Sequence, residues 1–150
     1  MYLEATHMRR VVHVGPTMAQ GGMSTVIHLL AANPPEGWRS SSCNTFSTKG
    51  IRRKIKRWNI AKKQIKNGDF DLVHIHSASD WSYRRKLSIA KAAKAPVVFH
   101  IHSGKFDIDT KSELKDYQVV CLSEGWCERL KPLIGDSISV PNPVDAQLKE

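Results

Sequence analysis

Cysteine is scarce in this 150-residue chain. Cys43, Cys121 and Cys127 are odd in number and lack the C-x-x-C spacing of zinc or redox sites, which excludes a disulfide framework and fits a reducing compartment with inert thiols. Long apolar runs are missing too. None approaches the roughly 18 residues needed to span a bilayer as a helix. Met1 to Met8 contain no apolar signal core, so residues 1–9 read as an N-terminal extension, with His7-Met8 a candidate cloning scar before a native start. Internal repeats and low-complexity segments are also absent.

Carboxylates vanish from one stretch altogether. Between residues 49 and 66 the chain carries Lys49, Arg52, Arg53, Lys54, Lys56, Arg57, Lys62, Lys63 and Lys66 with no acid, and the net charge is +9. Such a run suits a partner of negative charge, although a solvated helix face is the plain alternative.

What is present is one domain's worth of alternating strands and helices. The length and the 41% hydrophobic content suffice for a self-contained core. Arg10 to Gly15 is short and β-branched, and Gly15-Pro16 ends it. Gly21-Gly22 then opens an apolar helix from Met23 to Ala32, stopped by Asn33-Pro34-Pro35. Arg39 to Phe46 makes a weak, serine-rich strand. Ile51, Ile55, Trp58, Ala61 and Ile65 recur at steps of three and four, which predicts a helix that packs this side and points its cations elsewhere. Asp71 to His76 and Val97 to His102 read as strands, with a helix from Trp81 to Ala95 between them. After a polar connection, Gly104 to Lys115, come a strand at Gln118 to Leu122, a helix capped by Ser123, and a last strand at Ile138 to Val140. The alternation predicts an α/β domain over residues 10–141, its parallel sheet covered on both faces. Residues 142–150 read as the start of a linker.

Three features bear on chemistry. The segment Gly15 to Gly22 can aim backbone N–H groups and a positive helix end at a phosphate, but it is not the G-x-G-x-x-G pattern, and no acid follows about twenty residues on to hold a ribose. A tight turn with no ligand is the plain reading. The pairs His74/His76 and His100/His102 end two strands, and each pair is expected to alternate across the sheet, so that one histidine from each strand meets its counterpart at the C-terminal tips. No cysteine or carboxylate completes a ligand set, so no metal is expected. The basic helix, finally, suits an anionic membrane better than nucleic acid, with Trp58 and Trp81 as interface aromatics.

Taken in order, the segments His13-Val14-Gly15-Pro16, Gly21-Gly22-Met23-Ser24, Asp71 to His76, Pro96 to His102, Leu122-Ser123-Glu124 and Pro141-Asn142-Pro143-Val144-Asp145 resemble the N-terminal half of glycosyltransferase family 4. The resemblance implies a Rossmann-like three-layer domain with a mostly parallel sheet, one half of a GT-B fold. It also implies a retaining hexosyltransferase that takes a nucleoside diphosphate sugar as donor and needs no cofactor. Gly21 and Gly22 match the turn whose backbone approaches the donor diphosphate. His102 matches the histidine beside the transferred sugar and is the candidate catalytic residue. His76, Ser123, Glu124 and Asn142 fall along the same cleft, and Asp145 in the interdomain segment, where Pro143 stands in place of a frequent glycine.

The function implied is acceptor binding for transfer to a lipid-linked or polysaccharide acceptor. The expected location is cytoplasmic, peripheral on the cytoplasmic membrane face, with Arg52, Arg53, Lys56, Arg57 and Lys63 facing the bilayer. A C-terminal GT-B domain, in cis or as a separate chain, is the expected partner, and the domain is expected to be inactive without it. The rival is a non-catalytic Rossmann-like module that binds anionic membrane or nucleic acid through the basic helix, and a third option is a half-enzyme that only recruits a catalytic partner.

Overall fold

A computed structural model describes residues 7–48, 50–78, 81–103 and 112–143, with only the backbone of Trp81 and Ser112. Six strands form one sheet: β1 (Arg9–Gly15), β2 (Trp38–Asn44), β3 (Leu72–Ser77), β4 (Val97–Ile101), β5 (Gln118–Cys121) and β6 (Ser137–Ser139). Their order is β2-β1-β3-β4-β5-β6, and every pairing is parallel. Helices α1 (Gly22–Ala32), α2 (Ile51–Asn67), α3 (Trp81–Ala90) and α4 (Glu124–Ile134) carry the chain between strands, and a 3-10 turn at Ser112–Asp116 precedes β5. This is a Rossmann-like α/β arrangement, consistent with half of a GT-B fold.

The two faces of the sheet are unlike. One face presents Val12, Val14, Val73, Ile75, Phe99, Ile101, Val119 and Cys121, which pack with Ala61 and Ile65 of α2, Leu87 and Ile89 of α3, and Leu130 and Ile134 of α4. The other receives α1, whose buried Val26 and Ile27 lie outside that cluster. A Cβ on Gly15 would come within 2.4 Å of the tip of the Ile27 side chain, so α1 crosses β1 closely and a larger residue there would force buried Ile27 to shift. Beyond α1 the sheet carries a shallow apolar cleft of about 210 Å³, lined by Leu72, His74, Val98, His100 and Val120 and rimmed by Leu30 and Val140. The expected cover on both faces therefore holds fully for only one of them, among the described residues.

Three expectations about elements change. The weak serine-rich segment is a true strand, in register with all seven residues of β1 from Arg9↔Trp38 to Gly15↔Asn44. Helix α3 stops at Ala90 rather than Ala95, because the chain tightens into turns (Ala92 N–H to Ile89 C=O, 3.0 Å) before Pro96, whose ring disfavours a helical predecessor. In α2, Ala61 and Ile65 are buried and Trp58 packs partly against the core, whereas Ile51 and Ile55 are 75% and 46% exposed. The first turns of α2 thus reach past the sheet they were expected to cover. Of the polar connection after β4, residues 104–111 lie outside the described residues, as do Lys49, Val144 and Asp145.

Candidate functional site

Because all six strands run one way, everything that follows a strand collects at one end of the sheet. The Pro16 to Gly21 turn follows β1, Ala78 follows β3, His102 follows β4, and Ser123 follows β5. The order of the sheet reverses direction at β1, which has β2 on one side and β3 on the other. A crevice at such a switch point, outside the strand C-termini, is where open α/β sheets take their ligands.

At that crevice α1 begins. Gly21 adopts φ 136°, a backbone that side chains rarely tolerate, which explains a glycine there. Gly22 needs no such allowance, and a Cβ placed on it meets nothing within 4 Å. No side chain caps α1 and no acid sits in its first turn, so its N-terminal N–H groups are not neutralised by the protein itself.

Beside this turn stands a file of imidazoles. Residues two apart on a strand share a face, so His74 with His76, and His100 with His102, do not alternate as expected but all point the same way. Register adds a fifth: His13 pairs with His74 across β1–β3, and His76 with His100 across β3–β4. Ring centroids are 4.3 Å apart for His74–His76 and for His100–His102, and 5.0 Å for His13–His74. A hydrogen-bonded string runs outward, from His13 Nδ1 to His76 Nε2 at 3.4 Å and from His76 Nδ1 to His102 Nε2 at 3.0 Å. His76 is fully buried and lies behind His102, which is half-buried.

Burial keeps the file neutral. It lowers His13 and His100 to about 4 and, with help from neighbouring imidazoles, His74 to about 3 and His76 well below the ordinary 6.5. His102 falls to about 3 through burial first, then the charges of His100 and Lys86. Two sets could collect a metal ion, His13/His74/His76 and His76/His100/His102, each with ligand atoms within 4.8 Å of one another. Ligands about a tetrahedral zinc stand about 3.3 Å apart, given zinc–nitrogen bonds of about 2.0–2.1 Å, so the rings would have to close in. Both nitrogens of His100 and Nε2 of His74 are buried without a hydrogen-bond partner.

The remaining expected residues sit along the same end. Ser123 is exposed, and its hydroxyl accepts from the Trp126 N–H at 3.3 Å, which caps α4. Glu124, in the first turn of α4, and Asn142, in the coil after β6, are exposed. Arg52, Arg53 and Lys56 are exposed on the opening turns of α2, with half-buried Arg57 and exposed Lys63 further along. Trp58 does not serve as an interface aromatic: it packs against the core and its Nε1 donates to Ser88 Oγ at 2.9 Å. The Trp81 side chain lies outside the described residues.

A model of glycosyltransferase family 4 matches residues 17–148. The chain belongs to that family. No curated protein matches it. Membership makes this a glycosyltransferase-type domain, with a nucleotide-sugar donor and an acceptor as the general classes of substrate. Among the described residues no helix is long and apolar enough to cross a membrane.

Sequence reading missed two members of the site. His13 escaped because it stands alone in β1 and becomes part of the file only through register. Lys86 escaped because it hides in the run Arg84-Arg85-Lys86, yet it is 3% exposed. The helical period would have found it, since Tyr83, Lys86, Leu87 and Ala90 recur at the spacing of a buried stripe.

Proposed function

We propose that this domain is the acceptor-side lobe of a retaining glycosyltransferase, which moves a hexose from a nucleoside diphosphate sugar to a lipid-linked or polysaccharide acceptor. The observation that carries the reading is the arrival of the Gly21-Gly22 turn, His102 and the Ser123-Glu124 pair at one end of an all-parallel sheet, in a chain of family 4. Gly22 lets the donor diphosphate approach the α1 backbone. His102, held neutral and tied through Nε2 to His76, has Nδ1 left to bond a hydroxyl of the transferred sugar. Ser123, Glu124 and Asn142 line the path of the acceptor.

The reaction needs neither metal nor cofactor in this reading. Its large electrostatic requirement, a cationic clamp on the departing diphosphate, is supplied by a C-terminal lobe, in cis or as a partner chain, and this domain does not turn over without it. Positioning is this lobe's share. The test is to mix the chain with such a lobe and candidate nucleotide sugars. Gly22→Val should abolish transfer without unfolding the domain, because open space surrounds that position. Full transfer by the variant would remove Gly22 from the donor site.

The start of α2 supports a peripheral place on the cytoplasmic face of a membrane. Exposed Ile51 and Ile55 stand among Arg52, Arg53 and Lys56, an apolar wedge set in cations. Each cation near anionic lipid contributes about 1 kcal/mol. A non-catalytic membrane-binding module would use the same surface. Nucleic acid fits less well, since Trp58 is committed to packing. Co-sedimentation with anionic vesicles and with duplex DNA, each across a salt series, separates these partners.

A further inference from the structure

We infer that His76, His100 and His102, at the tips of β3 and β4, form a binding site for one divalent transition-metal ion of the zinc class. Register makes the set: His76 pairs with His100, and His102 follows on the same face two residues on. A nitrogen from each ring lies within 4.8 Å of those of the other two. Two of the donors need hardly move. His76 Nδ1 and His102 Nε2 stand 3.0 Å apart, against about 3.3 Å between ligands of a tetrahedral zinc.

His100 supplies the third donor. It is 2% exposed, and both of its ring nitrogens are buried without a hydrogen-bond partner. Such unpartnered buried groups are rare because they cost free energy, and a metal ion satisfies one of these two directly. The His100 ring lies against that of His102, with centroids 4.3 Å apart, and turning it about χ2 toward the ion breaks no hydrogen bond. When His76 binds through Nδ1, its proton sits on Nε2 and faces His13 Nδ1 at 3.4 Å. An outer hydrogen bond of that kind fixes the tautomer of a metal-bound histidine. A neutral imidazole offers a single lone pair, so His76 serves one ion and not two. The other set, His13, His74 and His76, is the poorer host, since His74 sits within β3 with its Nε2 buried. His102 stands beyond the last residue of β4 and is half-buried, which leaves a way in from solvent and room for water as fourth ligand.

The donors select the ion. Imidazole nitrogens suit zinc, copper, nickel and cobalt, whereas magnesium and calcium take oxygen. Among the described residues no cysteine or carboxylate joins the set, and the charge of Lys86 is felt at His102, so binding is weaker than in closed four-ligand zinc sites. The ion ties β3 to β4 and holds the His102 ring. It is a clamp, and no step of the proposed transfer passes through it.

Zinc, cobalt(II) and magnesium, each added alone to the chelator-treated chain at pH 7.5, test the site. Expected are a rise in the thermal midpoint with zinc, as a ligand of the folded state produces, a visible cobalt absorption of tetrahedral strength, and no response to magnesium. His100→Leu and His102→Gln should each weaken cobalt binding at least about tenfold, the loss typical of even an outer-shell partner, while His74→Leu should leave it unchanged. Should a variant fail to fold, imidazole signals of the parent chain give a second measurement: zinc should move those of His76, His100 and His102 and spare His28, whose Nε2 is bonded to the Thr17 carbonyl. Equal binding by His102→Gln, loss confined to His74→Leu, an equal response to magnesium, or no binding by the parent chain would overturn the site. Sugar transfer is not read in this experiment, so failure of the site leaves the proposed activity standing, and failure of transfer leaves the site standing.

Discussion

Five imidazoles share one side of three adjoining strands, and each is more basic in the unfolded chain than in the folded one. Folded values of about 4 for His13 and His100 and about 3 for His74 and His102, with His76 well below 6.5, mean that unfolding takes up protons once the pH falls under about 6.5. Their stabilising effect is therefore whole above pH 6.5 and is lost on acidification. Because five rings act in the same direction, acidification toward pH 5 erodes a large share of the domain's stability. The urea midpoint should drop steeply from pH 7 to pH 5, and His100→Leu should flatten the slope; a level profile in the parent chain would show that the file holds its protons when folded. Residues of this kind were only half legible. Histidine at i and i+2 is plain in the sequence, but the sharing of a face was misjudged there, and the contribution of His13 depends on β1–β3 register, which no local pattern encodes.

Elements were more legible than residues where apolar content was high. Strands β1, β3, β4 and β5 announce themselves through valine and isoleucine, and Ser123 announces α4, whose cap the structure confirms. Replacing that serine by alanine should cost about 1 kcal/mol, seen as a fall of about 2–4 °C in the thermal midpoint of a chain this size. Strand β2 was faint because Ser40, Ser41 and Ser42 carry little burial; its seven pairings with β1 are what hold it. The apolar stripe of helix α2 was legible and its reach was not, since a periodic stripe does not reveal where the sheet beneath it ends. Ile51→Ser with Ile55→Ser should leave the melting temperature within about 1 °C, as exposed positions generally do, while reducing binding to anionic vesicles severalfold. Unchanged vesicle binding would show that cations alone hold the surface to lipid.

At the scale of the molecule, composition and alternation sufficed for the α/β class and the parallel sheet, because βαβ connections leave few other solutions. They could not tell that one face would be left partly uncovered among the described residues, nor that a buried lysine, Lys86, would lie against Met23 of α1. Both follow from which helices cross which side, a matter of handedness and of the order β2-β1-β3-β4-β5-β6. That same one-way order has a practical corollary. The pole where strands begin, near Lys94 and Asp136, bears none of the groups assigned to chemistry here, and both residues are exposed. A fluorophore or surface tether attached at Lys94 should therefore leave donor and vesicle binding untouched, which makes that pole the natural handle for immobilising the domain in either assay.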